Sequence, residues 1–359
     1  MTVTSRATLL LLFSSVCHGL LETCEELQAA FDLTKTQDVV VQMHPFQEID
    51  CAEFITMSMD SNSLTVESSE GDVGNFFGTS DLNQVRFEIT NGAKLVWETK
   101  AKFIGSEGHD VNGGALFIGE GSTARFRSNL EIVDYGIRSD NDEGDFSSYV
   151  LSGGCVYTDG YFRVDGEATF TNCEVVGGGE SPPGPGGALY VGTEGSVLFN
   201  GALVISDVSI IDDDGGNGGA IYNEGKVNIK ADAKFENLNA RSGGAIFNAI
   251  GAQFRFKNSA RAIFIDCTAN DGTAGALDNR GLFKFSGPAL FVDTYTPAIY
   301  ISSDGNTVLS ENSVFWDKYD EANSPAIRVA SGGTLTIPDS VTFVESDTQC
   351  SRVDDDTCP

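Results

Sequence analysis

The chain has 359 residues, with 52 Asp and Glu against 22 Lys and Arg, a formal charge of −30, and 41 glycines. So acidic a chain has no overall basic footprint for phosphate, which excludes nucleic acid as a partner. No stretch beyond the N-terminal region is long and apolar enough for a transmembrane helix, so a soluble protein is expected.

Residues 1–19 read as a secretory signal. Arg6 gives a weakly basic start, Leu9 to Phe13 the apolar stretch, and Cys17-His18-Gly19 the cleavage region. A secreted, extracellular location follows, and with it a setting in which cysteines pair. Residues 20–60 read as an N-terminal cap. Within it, 22–33 form an amphipathic helix with Leu27, Ala30 and Phe31 on one face. Glu22, Glu25 and Glu26 fall in its first turns, where acids complement the helix dipole. A strand from Asp38 to Val41 follows. Such a helix would plug the open end of a strand stack and cover its edge.

From 61 to 346 two phrases recur in step. The first is two small residues, then Ala or Cys, an aliphatic and usually an aromatic. It appears as Gly113-Gly114-Ala115-Leu116-Phe117, Gly153-Gly154-Cys155-Val156-Tyr157 and Gly186-Gly187-Ala188-Leu189-Tyr190. It returns as Gly218-Gly219-Ala220-Ile221-Tyr222 and Gly243-Gly244-Ala245-Ile246-Phe247, with decayed copies at Ala274, Pro297 and Pro325. The second phrase is small-x-Phe-x-Asn/Asp, as in Ala168-Thr169-Phe170-Thr171-Asn172 and Ala233-Lys234-Phe235-Glu236-Asn237. Looser copies include Leu130 to Asp134 and Ala202 to Ser206, and successive starts lie 24 to 38 residues apart.

Between the phrases lies a third strand-like piece, such as Lys226-Val227-Asn228-Ile229 or Phe254-Arg255-Phe256, where apolar and polar residues alternate. One coil therefore holds three short strands and three turns, and like residues of successive coils stack about 4.8 Å apart. Recurring steps of this length mark a solenoid whose units cannot bury their apolar faces alone. The expected fold is all-β, a right-handed parallel β-helix of about nine or more three-strand coils with a short N-terminal capping helix. Handedness follows the general crossover preference. Variable spacing argues against a sandwich or a propeller. The Asn or Asp after each Phe sits where the strand must bend, and it tolerates a left-handed φ. The glycines are read as serving turns and tight stacking. Residues 347–359 form a C-terminal tail.

Cysteine placement gives a staple at each end: Cys24–Cys51 before the coils and Cys350–Cys358 after them. Cys155 and Cys173 share a coil and are a further candidate pair, which leaves Cys267 free and buried.

The segment Phe256-Lys257-Asn258-Ser259-Ala260 with Gly243-Gly244-Ala245-Ile246 resembles the repeats of bacterial polymorphic outer-membrane proteins, over roughly residues 93–346. The spacing here is mostly Phe-x-Asn where that family has Phe-x-x-Asn, and its C-terminal membrane barrel is missing. A surface or adhesive role is what the resemblance implies. More broadly the chain looks like the pectin-lyase-like β-helix superfamily, which holds both polysaccharide-acting enzymes and proteins without known activity.

Candidate chemistry is sparse. Hydrolases of that superfamily use Asp residues on one strand face as acid and base. Asp212, Asp213 and Asp214 are the one acid cluster of that type, and a solvated turn explains them better. Lyases use a Lys or Arg base; Arg125, Arg127, Arg163, Lys226, Lys230, Arg255 and Lys257 lie on the coils, where ordinary solvent-facing positions account for them. Asp140, Asp142 and Asp145, with Asp212 to Asp214, are the candidate calcium ligands, and no cofactor is required. His44 and His109 have no nucleophile at a matching spacing. Tyr135, Tyr149, Tyr295, Trp316 and Tyr319 lie near turns; exposed rings there could stack on sugars, but local packing under the turns accounts better for each. The expected function is a secreted, non-enzymatic structural, adhesive or glycan- and matrix-binding protein. The alternative is a polysaccharide lyase, hydrolase or epimerase. Expected partners are polysaccharide or cell-surface and matrix components, and the sequence assigns no oligomeric state.

Overall fold

The computed structural model describes residues 20–43, 48–68, 80–105, 107–109, 112–138, 151–176, 184–211, 216–270, 273–294, 297–316, 325–344 and 350–352. Every pairing among these strands is parallel. They form one 12-stranded sheet and one 23-stranded sheet, with each strand bonded to its counterpart one coil away. This is a parallel β-helix. The third strand-like piece builds the 12-stranded sheet, and the two recurring phrases build the other.

Register follows the phrases. Phe103, Ile132, Phe170, Ile205, Phe235, Phe264, Phe291, Phe315 and Phe343 form one inward column. From Phe235 onward its rings stack with centroids 4.9, 4.8, 4.5 and 5.0 Å apart, the spacing of the coils themselves. The looser copy at 202–206 sits one residue later than its sequence placement: Leu203 pairs with Ala168 and Ala233, and Asp207 rather than Ser206 takes the bend. The expected left-handed bends are present, with φ near +50° at Asp134, Asn172, Asp207, Asn237, Asp266 and Asp293. They also bond between coils, Asn172 Nδ2 donating to Asp134 Oδ1 (2.8 Å) and Asn237 Nδ2 to Asp207 Oδ1 (2.9 Å). After the bend the central coils add a fourth short segment, for example Gly136–Arg138 and Glu174–Val176.

The two glycines of the first phrase do different work. The first has φ between +60° and +78° in all five full copies, a region where only Gly is free of strain. The second packs backbone against backbone. A Cβ on Gly154, Gly187, Gly219 or Gly244 would overlap the carbonyl oxygen of the equivalent residue on the next coil.

At the N-terminus Thr23 caps the helix Cys24–Leu33 in a capping box with Glu26, and Leu27, Ala30 and Phe31 are buried. Phe31 stacks 4.6 Å from Phe87 of the coils, and Cys24–Cys51 ties the helix to the first coils. Coil pairing begins inside the segment read as a cap. Val39–Met43 pairs with Leu64–Ser68, and Glu48–Asp60 pairs with Ser80–Thr90. The Cys155–Cys173 disulfide is present, and Cys267 is free and buried, as expected. The Cys350–Cys358 pair lies outside the described residues, because Cys358 does.

A buried polar ladder runs beside the core. Asn223 Nδ2 donates to Asn248 Oδ1 (2.7 Å), Asn248 Nδ2 to Asn279 Oδ1 (2.8 Å), and Asn279 Nδ2 to Thr307 Oγ1 (2.8 Å). The side chains also hold the turns that follow, since Gly225 N donates to Asn223 Oδ1 and Gly281 N to Asn279 Oδ1.

Candidate functional site: a basic sheet face

The strands of the 12-stranded sheet bury alternate residues: Val227 and Ile229, Phe254 and Phe256, Phe283 and Phe285. The intervening positions therefore face outward in aligned columns. Nine of the chain's 22 Lys and Arg occupy this one face: Lys94, Arg125, Arg127, Arg163, Lys226, Lys230, Arg255, Lys257 and Lys284. Seven of them stood out in the sequence and were read as ordinary surface. Register brings them together.

The face divides in two. In the N-terminal half the three arginines are answered. Arg125 donates from Nε and Nη2 to Asp165 Oδ2 (2.9 and 2.7 Å), Arg163 Nε donates to Asp165 Oδ1 (2.6 Å), and Asn200 Nδ2 adds a further bond. Arg127 pairs with Glu98 at 2.9 Å. Burial alone would raise the Asp165 pKa, but the bonds from Arg125, Arg163 and Asn200 outweigh it and hold the carboxyl below its ordinary value. A folded-state pKa below the unfolded value stabilises the fold above about pH 4, and this is lost as pH falls through the folded pKa. Asp165→Asn is therefore expected to cost roughly 1–3 kcal/mol at pH 7. The gap to wild type should close in acid, as read by urea unfolding at pH 7 and pH 3; a gap independent of pH would exclude this role.

Among the described residues the C-terminal half carries no such answer. From Ser196–Asn200 to Leu282–Ser286 the outward positions hold five cations and no acid: Lys226, Lys230, Arg255, Lys257 and Lys284. Arg255 Nη2 donates to Gln253 Oε1 (3.1 Å), while its Nε is buried without a partner. Two acids close in sequence to the strand Lys226–Ile229 are already engaged. Glu224 accepts from Tyr190 (2.7 Å) and Tyr222 (3.2 Å), and Asp232 binds Arg261.

The outward aromatics of the first phrase form a second feature. Phe117, Tyr157, Tyr190, Tyr222 and Phe247 stack with centroids 5.0, 4.8, 5.5 and 4.9 Å apart. Arg86 covers one end at 5.5 Å from the Phe117 centroid, and Arg280 the other at 4.6 Å from that of Phe247. Burial, then the neighbouring carboxylates, keep the tyrosine hydroxyls protonated and donating, with the Tyr222 pKa raised to about 12. Every ring face in this ladder is occupied, so it is a structural stack and not a platform for sugars.

The second-phrase strands turn a different surface outward. Ile263 and Ile265, Leu290 and Val292, and Val314 and Trp316 align on three consecutive coils, and Trp316 is 45% exposed.

Of the rings considered for sugar stacking, Tyr135 is packed instead: it is buried, and its hydroxyl donates to Val85 O (2.6 Å). Its ring fills the space that a side chain on Gly105 would need, so the residue after the Asp134 bend turns inward. Asp140, Asp142, Asp145, Asp212, Asp213 and Asp214 lie outside the described residues, as do His44, Tyr149, Tyr295 and Tyr319. Among the described residues no three His, Cys, Asp or Glu side chains converge on a metal position, and no helix is long and apolar enough to cross a membrane.

No family model matches the chain, and neither does any curated protein or solved structure, so its place among parallel β-helices stands on its own strand register.

Proposed function

We propose that the chain is an exported, non-enzymatic β-helix that binds a glycan or matrix polymer along the outward face of its 12-stranded sheet. The observation that carries this reading is the run of five unanswered cations on a flat face of an otherwise acidic protein. Holding cations in mutual proximity without acids costs stability, and binding is what such a face serves. Two disulfides among the described residues suit an oxidising, extracellular setting. The likeness of the Gly-Gly-Ala-Ile phrase to polymorphic outer-membrane repeats supports a surface role, and the apolar row ending at Trp316 supports an adhesive one.

The enzymatic alternative, a polysaccharide lyase, hydrolase or epimerase, needs a group free to move a proton. The acids beside the arginines of this face are engaged: Asp165 is held ionised between two guanidinium groups that it also occupies, and Glu98 pairs with Arg127. The test is incubation of the purified protein with neutral and acidic polysaccharides, with and without calcium. Retention on a polysaccharide without new reducing or unsaturated ends is the expected result. New ends would overturn the non-enzymatic reading, and no retention on any polymer would overturn the binding reading.

A further inference from the structure

Resting on that binding reading, we infer that the ligand is an anionic polysaccharide, held directly by Lys226, Lys230, Arg255, Lys257 and Lys284 with no bridging cation. These side chains occupy three consecutive coils, on the strands Lys226–Ile229, Gln253–Phe256 and Leu282–Phe285 and the residues that follow them. Coil spacing and strand rise make the patch about 10 Å along the helix axis and about 13 Å across it.

The net charge of −30 does not abolish this local field. Exposed charges more than about 8 Å apart are largely screened at physiological salt, so an anionic group on the patch responds chiefly to the five cations beneath it. The neighbouring outward positions Ser196, Leu198, Asn200, Asn306 and Val308 are uncharged, which keeps acids off the adjoining coils of the face. Arg255 supplies direction. Gln253 takes one of its Nη2 hydrogens, its stem is held against the sheet, and the remaining outer hydrogens suit a sulfate or carboxylate. Lysine ammonium groups around it act as point charges.

The same features separate polysaccharide from nucleic acid. A duplex carries one charge per about 1.7 Å and would extend beyond the patch over outward positions that offer its phosphates no cation. Single strands bind by stacking bases on exposed rings. This patch presents none, and the nearby aromatic ladder has its faces covered. A carbohydrate with one anionic group per sugar, or per second sugar, spreads its charge more thinly and can lie on a flat face.

The experiment uses the full chain with its disulfides intact, at about 0.15 M salt with calcium and again with EDTA in its place, against immobilised dextran sulfate, polygalacturonate, uncharged dextran and a single-stranded DNA oligonucleotide. The wild type is expected to bind an acidic polysaccharide, to lose it at high salt, and to leave dextran unbound. Lys257→Gln with Lys284→Gln should weaken binding about tenfold, and Lys226→Gln with Lys230→Gln should do likewise. Lys102→Gln, on the other sheet and paired with Glu131 at 3.0 Å, should change nothing. Circular dichroism checks that each variant is folded; because these positions are outward, two independent pairs keep the test open if one fails. Equal binding to dextran with both pairs unaffected would sink the anionic inference and leave glycan binding standing. Binding that EDTA abolishes would sink direct contact. DNA held more tightly than the polysaccharides would replace the ligand class. Retention on none of the polymers would remove the binding reading itself.

Discussion

Gly219→Ala is expected to leave little folded protein, whereas Gly121→Ala should cost only about 1–2 kcal/mol. Gly219 does not need a left-handed backbone; it needs the absence of a side chain. A Cβ there would overlap the Gly244 carbonyl oxygen of the next coil and lie 3.0 Å from Asn239 O. Both obstacles are backbone held between coils: Gly244 N donates to Ala274 O (3.2 Å), and Asn239 lies in a strand paired with Thr268 of the next coil. Relief requires separating two coils, which breaks neighbouring bonds along the ladder. A loss above about 4 kcal/mol follows, a large share of a typical total stability. In a solenoid, stability is a sum over units and their contacts, so damage at a central coil divides the stack. Gly121 has φ +72°, but a methyl group there would meet nothing within 4 Å, so strain is its whole cost. Urea unfolding followed by circular dichroism distinguishes the two, and equal losses would show that conformation rather than close approach sets the role of the second glycine.

Asn248→Leu should cost roughly 2–4 kcal/mol, although it exchanges a polar side chain for an apolar one of similar size. Asn248 is fully buried and stands in the middle of the ladder. It accepts from Asn223 (2.7 Å) and donates to Asn279 (2.8 Å) and to Leu282 O (3.3 Å). Its loss removes one bond from each neighbour and leaves polar atoms facing a hydrocarbon in the protein interior. Asn228→Leu is the control. Asn228 points outward on the 12-stranded sheet, and its replacement should stay within about 0.5 kcal/mol. If the two variants unfold at the same urea concentration, the ladder contributes nothing beyond packing.

Much of the fold was legible because the repeat writes each structural role many times. Alternation in pieces such as Lys226-Val227-Asn228-Ile229 assigned inward and outward sides correctly, and the Asn or Asp after each Phe marked bends that take left-handed φ. The helix Cys24–Leu33 and its buried face could be read from capping acids and apolar spacing. An error arose where a single residue departs from the pattern. At 202–206 the small residue drew the alignment one position early, and only the pairing of Leu203 with Ala168 corrects it. The inward turn of Tyr135 agrees with packing under a turn, but its place in the gap beside Gly105 is visible only in the structure.

The candidate site was legible as a set of residues but not as a place. Arg125, Arg163, Lys226 and Arg255 are far apart in sequence, and intervening turns of unequal length hide their common phase. Sequence alone determined the class of fold, the strand phrases, the bends and two of the disulfides, because these depend on local chemistry repeated at every coil. Only the tertiary structure decided that nine cations share one face, that Asp165 and Glu98 answer its three N-terminal arginines, and that the five cations of its C-terminal part have no acid among their outward neighbours. The physical reason is register: parallel pairing about 4.8 Å apart turns residues tens of positions apart into neighbours, and no local pattern states which ones will meet.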